Sequence, residues 1–331
     1  MPVNRQITLA ARPVGWPKPS DFKLVEAPLP SIKDGEVLLR NTWLSLDPYM
    51  RGRMDASKSY AASAELGQPM VGGTVAEIVD SRHPKLAKGT VVSAFGGWQD
   101  YAVSNGQGLR VLDAKLAPPQ TSLGVLGMPG VTAYVGLLDI GQPKPGETVV
   151  VSAASGAVGS VVGQIAKLKG CRTVGIAGGK EKCDWVREIG FDACIDYKSG
   201  DLLANLKAAC PKGIDVYFEN VGGEVLEAVL RLLNFRARIP LCGLISQYND
   251  TEDRGTRGVR HLLINRAMIQ GFIVSDYLER WPHALTELTQ WFVQGKLKYR
   301  ETVSQGLESA PEAFIGLLKG RNFGKQLVKI A

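Results

Sequence analysis

The chain has 331 residues, more than a single hydrophobic core usually encloses, so two domains are expected. Hydrophobic residues at 45% and charged residues at 21%, with no low-complexity tract, allow real cores and exclude extended disorder. The net charge of +7 comes from Lys and Arg spread along the chain without a recognisable nucleic-acid motif, which argues against a nucleic-acid partner.

Five cysteines (Cys171, Cys183, Cys194, Cys210 and Cys242) form no C-x-x-C pair, and an odd count is a poor disulfide framework. The first residues, MPVNRQITLAARPVGWP, lack the apolar centre of a signal peptide, and no stretch reads as a membrane span. A reducing, cytoplasmic setting without a membrane partner is therefore expected.

Residues 1 to about 125 carry short β-like segments between Gly and Pro, such as Gly35 to Arg40, Gly72 to Val79 and Gly89 to Phe95, and predict an antiparallel barrel-like domain. Between them, Leu44 to Met54 (LSLDPYMRGRM) reads as an apolar and aromatic loop carrying Arg51 and Arg53. The texture changes at Gly127-Met128-Pro129-Gly130, after which Val131 to Ile140 reads as a helix.

Thr148 to Lys169 then gives a buried β-branched strand, a small-residue turn and an amphipathic helix closed by Gly170. In the turn, Ala154-Ser155-Gly156-Ala157-Val158-Gly159 has the A-x-G-x-x-G form of the dinucleotide fingerprint, with Ala154 where the first glycine usually stands. Gly156 would let backbone N–H groups approach a pyrophosphate at the helix N-terminus, and Gly159 would let the helix pack closely on its strand. A packing turn without a ligand remains the alternative.

Strand and helix then alternate: Thr173 to Ala177, Lys180 to Ile189, Ala193 to Asp196, Leu202 to Ala209, Asp215 to Glu219, Val225 to Leu233 and Ala237 to Leu241. This pattern predicts a doubly wound parallel sheet with its crevice at the carboxyl ends of the strands. Gly178 to Lys182, Asn220 to Gly223 and Cys242 to Asn249 should face that crevice. Arg254, Arg257 and Arg260 read as a solvated loop or an anion site. Ile269 to Val274 reads as an edge strand able to pair with a second subunit, and a final helix and strand, Pro311 to Leu318 and Gly324 to Ile330, could return to the first domain.

GMPGVTAY, AASGAVGSVVGQIAK, GGKEK, ENVGG, LCGLISQYN and GRNFGKQLVKI occur in this order, and together they resemble medium-chain dehydrogenases/reductases. LSLDPYMRGRM and ISQYN resemble the zinc-independent double-bond reductases of that superfamily: prostaglandin, plant alkenal and bacterial curcumin reductases. The resemblance implies an α/β fold in which a GroES-like β-barrel catalytic domain (1–125 and 301–331) accompanies a Rossmann NADPH-binding domain (126–300). It also implies reduction of the C=C bond of α,β-unsaturated ketones and aldehydes, and a homodimer. The first 170 residues contain no cysteine, and His83, in a surface turn, is the only histidine of that half, so no metal site is expected.

On the same resemblance, Tyr248 is the donor to the substrate carbonyl and Tyr49 lines the pocket. Cofactor contacts fall at Met128, Thr132, Gly156, Ala157, Val158, Gly159, Gly178, Lys182, Tyr197, Asn220, Cys242, Gly243 and Asn322. No acid occupies the strand tip about twenty residues after the glycines, which favours NADPH over NADH. A quinone reductase and a noncatalytic NADPH-binding regulator are the alternatives.

Overall fold

A computed structural model describes residues 3–252 and 254–331. They form two compact units: one takes residues 3–123, Asn249–Thr251 and Glu301–Ala331, and the other takes Gly124–Tyr248 with the described residues of Glu252–Arg300.

The first unit opens with β1 (Val3–Leu9) and β2 (Phe22–Pro28), an antiparallel pair. Next come β3 (Val37–Ser45), the one-turn helix α1 (Met50–Arg53), β4 (Thr74–Ser81), β5 (Val91–Ala94), β6 (Tyr101–Ser104) and the two-residue β7 (Arg110–Val111). Alternate residues of β3 to β6 point inward: Val37, Leu39, Ala76, Ile78, Val92 and Ala102 belong to one buried cluster.

The segment Leu44 to Met54 is not a free loop. Leu44, Leu46, Met50 and Met54 are at most 1% exposed, because β3 runs straight into it and α1 folds it back onto the core. Trp98 anchors the same core, stacked on Phe22 with ring centroids 5.6 Å apart and edge-on to Phe314 at 5.8 Å. Such aromatic pairs add roughly 0.5–1.5 kcal/mol beyond burial.

The second unit begins with α2 (Met128–Val135), continued by a π-helical turn (Gly136–Gly141). Then β8 (Thr148–Ser152), α3 (Gly159–Leu168), β9 (Arg172–Ala177), α4 (Lys180–Glu188), β10 (Ala193–Asp196), α5 (Leu202–Ala209), β11 (Ile214–Phe218), α6 (Gly223–Leu230) and β12 (Leu233–Leu241) alternate. After α7 (Arg260–Asn265) comes β13 (Met268–Gly271), and after a 3-10 stretch α8 (Trp281–Val293). The sheet is parallel throughout, in the order β10-β9-β8-β11-β12-β13, so its winding reverses between β8 and β11. The edge strand β13 is shorter than the Ile269 to Val274 expected, and all four of its residues are exposed.

Strand β8 is buried at every position because helices cover both faces of a parallel sheet. Helix α3 also packs closely on the segment before β10: a methyl group on Gly163 would lie 1.8 Å from the Phe191 ring. Gly170 ends that helix at φ +80°, the left-handed conformation open to glycine.

The chain then returns to the first unit with β14 (Glu301–Gln305), α9 (Ala310–Leu318) and β15 (Lys325–Lys329). Strand β15 lies between β14 and β3, which extends the first unit's sheet to the order β14-β15-β3-β4-β5-β7, with β6 also on β3. Among the described residues no helix is long and apolar enough to cross a membrane.

Candidate cofactor and active site

In a doubly wound sheet, ligands bind where the strand order reverses, at the carboxyl ends. Strand β8 ends at Ser152, and Ala153 turns the chain with φ +48°, a value L residues rarely adopt. Ala154 is held by its N–H on Ile176 O (3.0 Å). A Cβ at Gly159 would come within 2.4 Å of Ala153 O, so only glycine lets α3 start this close to the turn. Gly156, Ala157 and Val158 thus stand at the helix N-terminus, where backbone N–H groups and the helix dipole favour an anion.

Strand β9 is followed by Gly178, where a methyl would sit 2.8 Å from the Tyr197 ring and 2.9 Å from Lys198 Cε. Asp196 Oδ1 ties the two arms by accepting from Gly179 N (2.8 Å) and Lys198 N (3.0 Å). The Lys198 ammonium lies 5.8 Å from the half-exposed Tyr197 ring. Lys182, in the first turn of α4, has its pKa lowered by burial and then by repulsion from Lys198. Glu181 carries a 78% exposed side chain that meets Arg300 at 3.4 Å.

Strand β11 is followed by Glu219, fully buried, and Asn220, whose Nδ2 donates to Ser152 O and whose N–H donates to Ser152 Oγ, both at 2.8 Å. Strand β12 is followed by Cys242 and Gly243, both of which donate N–H to Glu219 O (2.9 and 3.2 Å). Burial, with a push from Glu219, raises the Cys242 thiol to about 12. The chain then makes a 3-10 turn (Ile245–Gln247) into Tyr248, whose hydroxyl oxygen accepts from Leu244 N at 3.3 Å. A methyl on Gly243 would fall 2.7 Å from that hydroxyl, so Tyr248 folds over bare backbone.

Gly156 to Gly159, Gly178, Lys182, Tyr197, Asn220, Cys242, Gly243 and Tyr248 are therefore all found at one edge of one sheet. Met128 and Thr132 open α2 in the same unit, with Thr132 Oγ1 donating to Met128 O (2.8 Å). Tyr49 and Asn322 belong to the first unit. Tyr49 packs against the core beside α1, where burial and then the Asp47 carboxylate raise its pKa. Asn322 donates Nδ2 to Gly324 O (2.8 Å) at the entry to β15.

The family profile described as the N-terminal domain of oxidoreductase matches residues 5–112, and the one described as zinc-binding dehydrogenase matches 157–290. The NADPH-dependent curcumin reductase of Escherichia coli (strain K12) is 53% identical, over 99% of this chain and 97% of its own. The 2-alkenal reductase (NADP(+)-dependent) of Nicotiana tabacum is 44% identical over 99% and 98%. This chain belongs to the zinc-independent double-bond reductases of the medium-chain dehydrogenase/reductase superfamily. A crystal structure of CurA from Vibrio vulnificus in complex with NADPH has a TM-score of 0.95 at 54% identity, covering 99% of both chains. The quinone oxidoreductase of Escherichia coli with NADPH, at 20% identity and TM-score 0.78 over 98% and 99%, shares the fold.

The double-bond reductase presents residues that fit NADPH. Gly178 keeps the end of β9 bare, and the mutual repulsion of Lys182 and Lys198 would be relieved by an anion between them. Among the described residues no three His, Cys, Asp or Glu side chains gather as a metal site requires.

Lys198, Asp196, Glu219 and Arg51 are absent from the sequence-derived site. Lys198 directly follows Tyr197, and its chemistry was readable. Arg51, 3% exposed, donates to Asn249 Oδ1 (3.0 Å) and Gly15 O (2.9 Å) and pairs with Asp55 Oδ1 (2.6 Å). Two of those partners are remote in sequence, so no local signal announced it.

Proposed function

We propose that this chain reduces the carbon–carbon double bond of α,β-unsaturated ketones and aldehydes, with Tyr248 as the hydrogen-bond donor to the substrate carbonyl. NADPH, when bound, supplies the hydride for the β-carbon. Negative charge then develops on the carbonyl oxygen, and a donor placed there stabilises it by a few kcal/mol. The observation that carries the reading is the position of Tyr248: it follows the turn after β12 at the carboxyl end of the parallel sheet, with its hydroxyl folded over the bare backbone of Gly243.

The remaining roles follow the family. Lys182 and Tyr197, joined by Lys198, hold the 2′-phosphate. Gly156, Ala157, Val158 and Gly159 cradle the pyrophosphate, while Met128, Thr132, Asn220, Cys242, Gly243 and Asn322 hold the nicotinamide half. Tyr49 lines the enone pocket. Residues 126–300 are the NADPH-binding domain, and 1–125 with 301–331 the catalytic domain.

The protein acts in the cytoplasm, without membrane or nucleic-acid partners; its five cysteines are all free thiols. It works as a homodimer built on β13, a parallel edge strand with exposed Met268 and Ile269 that offers unpaired backbone to a second copy. Sedimentation of the wild type as a dimer and of Ile269→Asp as a monomer checks this, and a monomeric wild type would refute it.

NADPH oxidation against a panel of enones, enals, quinones and alcohols tests the activity. Turnover of enones and enals is expected. Preferential turnover of quinones would assign the chain to the quinone reductases, and binding of NADPH without any turnover would make it a noncatalytic binder.

A further inference from the structure

The reversal of winding between β8 and β11 is bridged by one buried side chain. Glu219 Oε1 accepts from Ser152 Oγ at the end of β8 (2.9 Å) and from Val221 N in the loop after β11 (2.6 Å). Its main-chain oxygen takes the N–H groups of Cys242 and Gly243 after β12, and its own N–H donates to Pro240 O (3.0 Å). Ser152 passes the link on, because its hydroxyl oxygen accepts from Asn220 N. Three strand ends thus meet on one residue.

This arrangement is costly unless it is used. Glu219 and Ser152 are 0% exposed, and the groups acting on the carboxyl among the described residues are hydrogen-bond donors rather than a cation. Oε2 is buried without a well-formed hydrogen bond, as is the hydroxyl of Tyr217, two residues before Glu219 and close to its carboxyl group. An apolar side chain would fill this space without leaving polar atoms unsatisfied. Burial pushes the Glu219 carboxyl up against the pull of the Val221, Gly222 and Ser152 donors, which favours its neutral form.

We propose that Glu219 is a positioning residue for the nicotinamide half of the cofactor site, fixing Asn220, Cys242 and Gly243 relative to the end of β8. This rests on NADPH binding along the carboxyl ends of the sheet. The 2′-phosphate end, around Lys182, Tyr197 and Asp196, is built from β9 and β10 and shares none of these bonds. The two ends of one cofactor should therefore respond differently when Glu219 is changed.

The test compares NADPH with adenosine 2′,5′-bisphosphate, which lacks the nicotinamide half, by titrating each into the wild type, Glu219→Ala, Glu219→Gln and Ser152→Ala. Glu219→Ala should weaken NADPH binding roughly 10- to 100-fold, the scale of a displacement of about 1 Å in a binding group, and leave the bisphosphate within about 2-fold. Glu219→Gln, which keeps an acceptor for Ser152 and Val221 and carries no charge, should restore NADPH binding to within about 3-fold of wild type. Ser152→Ala should shift in the direction of Glu219→Ala, and decides the matter if that variant does not fold. Unchanged NADPH affinity in Glu219→Ala and Ser152→Ala, a loss in Glu219→Gln as large as in Glu219→Ala, or equal losses for both ligands would overturn the inference. Failure of the wild type to bind NADPH would instead overturn the cofactor reading beneath it.

Discussion

Arg51 Nε lies 3.0 Å from Asn249 Oδ1, joining positions 198 residues apart in sequence, with both side chains buried. This bond and Arg51's contact with Gly15 O seat the short segment Asn249–Thr251 in the first unit, and Tyr248 directly precedes that segment. Removing one member of a buried charged network leaves its partners unsatisfied, at about 3–5 kcal/mol. Arg51→Met should therefore lower unfolding stability by that order in urea titrations, and Arg51→Met combined with Asn249→Leu should cost less than the sum of the single changes. Strict additivity would show that the two side chains are not coupled.

Cofactor choice should reside in the cations around Gly178. Lys182→Ala and Lys198→Ala should each reduce kcat/KM with NADPH by roughly 10-fold, about the worth of one charge-assisted hydrogen bond, while kcat/KM with NADH stays within about 2-fold. Equal efficiency of the wild type with the two cofactors would refute this assignment of the 2′-phosphate site.

Tyr248→Phe keeps the ring and removes the donor. Turnover of enones should fall roughly 10- to 1000-fold, the usual loss for one oxyanion donor, with NADPH affinity nearly unchanged because the phosphates are held elsewhere. A parallel loss of NADPH binding would show that the ring packs against the cofactor instead. Unchanged turnover across several enones would clear Tyr248 of the role.

Glu147 and Arg238 form a forked pair, with Nη2 to Oε2 at 2.5 Å and Nη1 to Oε1 at 3.1 Å. Burial by itself would raise the Glu147 pKa, but Arg238 and the Lys144 amide outweigh it and the value falls below the ordinary 4.5. A carboxyl group lowered in the folded state contributes stability that is present above its unfolded pKa and lost as pH falls through the folded one. Glu147→Gln should then cost about 1 kcal/mol or less at neutral pH, and the difference from wild type should vanish in acid. Denaturant titrations across that range, with a gap that persists in acid, would contradict the assignment.

The second unit was legible because its signals are local. Thr148–Ser152 is an unbroken β-branched and apolar run, and Gly156 and Gly159 lie where a turn and a close helix start demand them. Gly178 and Gly179 likewise mark the turn after β9, with Lys182 in the first turn of α4 behind them. The segment around Tyr49 misled because its apolar residues follow neither the period of a helix nor that of a strand. Met50 and Met54 are buried in one cluster with Trp98 and Phe314, which composition does not announce. Glu219 read as the last residue of a strand; its bonds to Ser152 and Cys242 depend on strand order, which no stretch of residues encodes by itself. Phe95, assigned to a strand, lies beyond the end of β5 and is 62% exposed.

The excursion of Asn249–Thr251 into the first unit bears on how these reductases can be recombined. Neither unit is one continuous stretch, and the chain passes between them after Leu123, Tyr248, Thr251 and Arg300. A chimera that exchanges residues 124–300 for those of a relative imports its own version of positions 249 to 251, and position 249 must match the host arginine at 51. Grafts that carry Arg51 and Asn249 from the same parent should fold and turn over. Those that mix parents differing at either position should fail at that clasp even where both halves are sound.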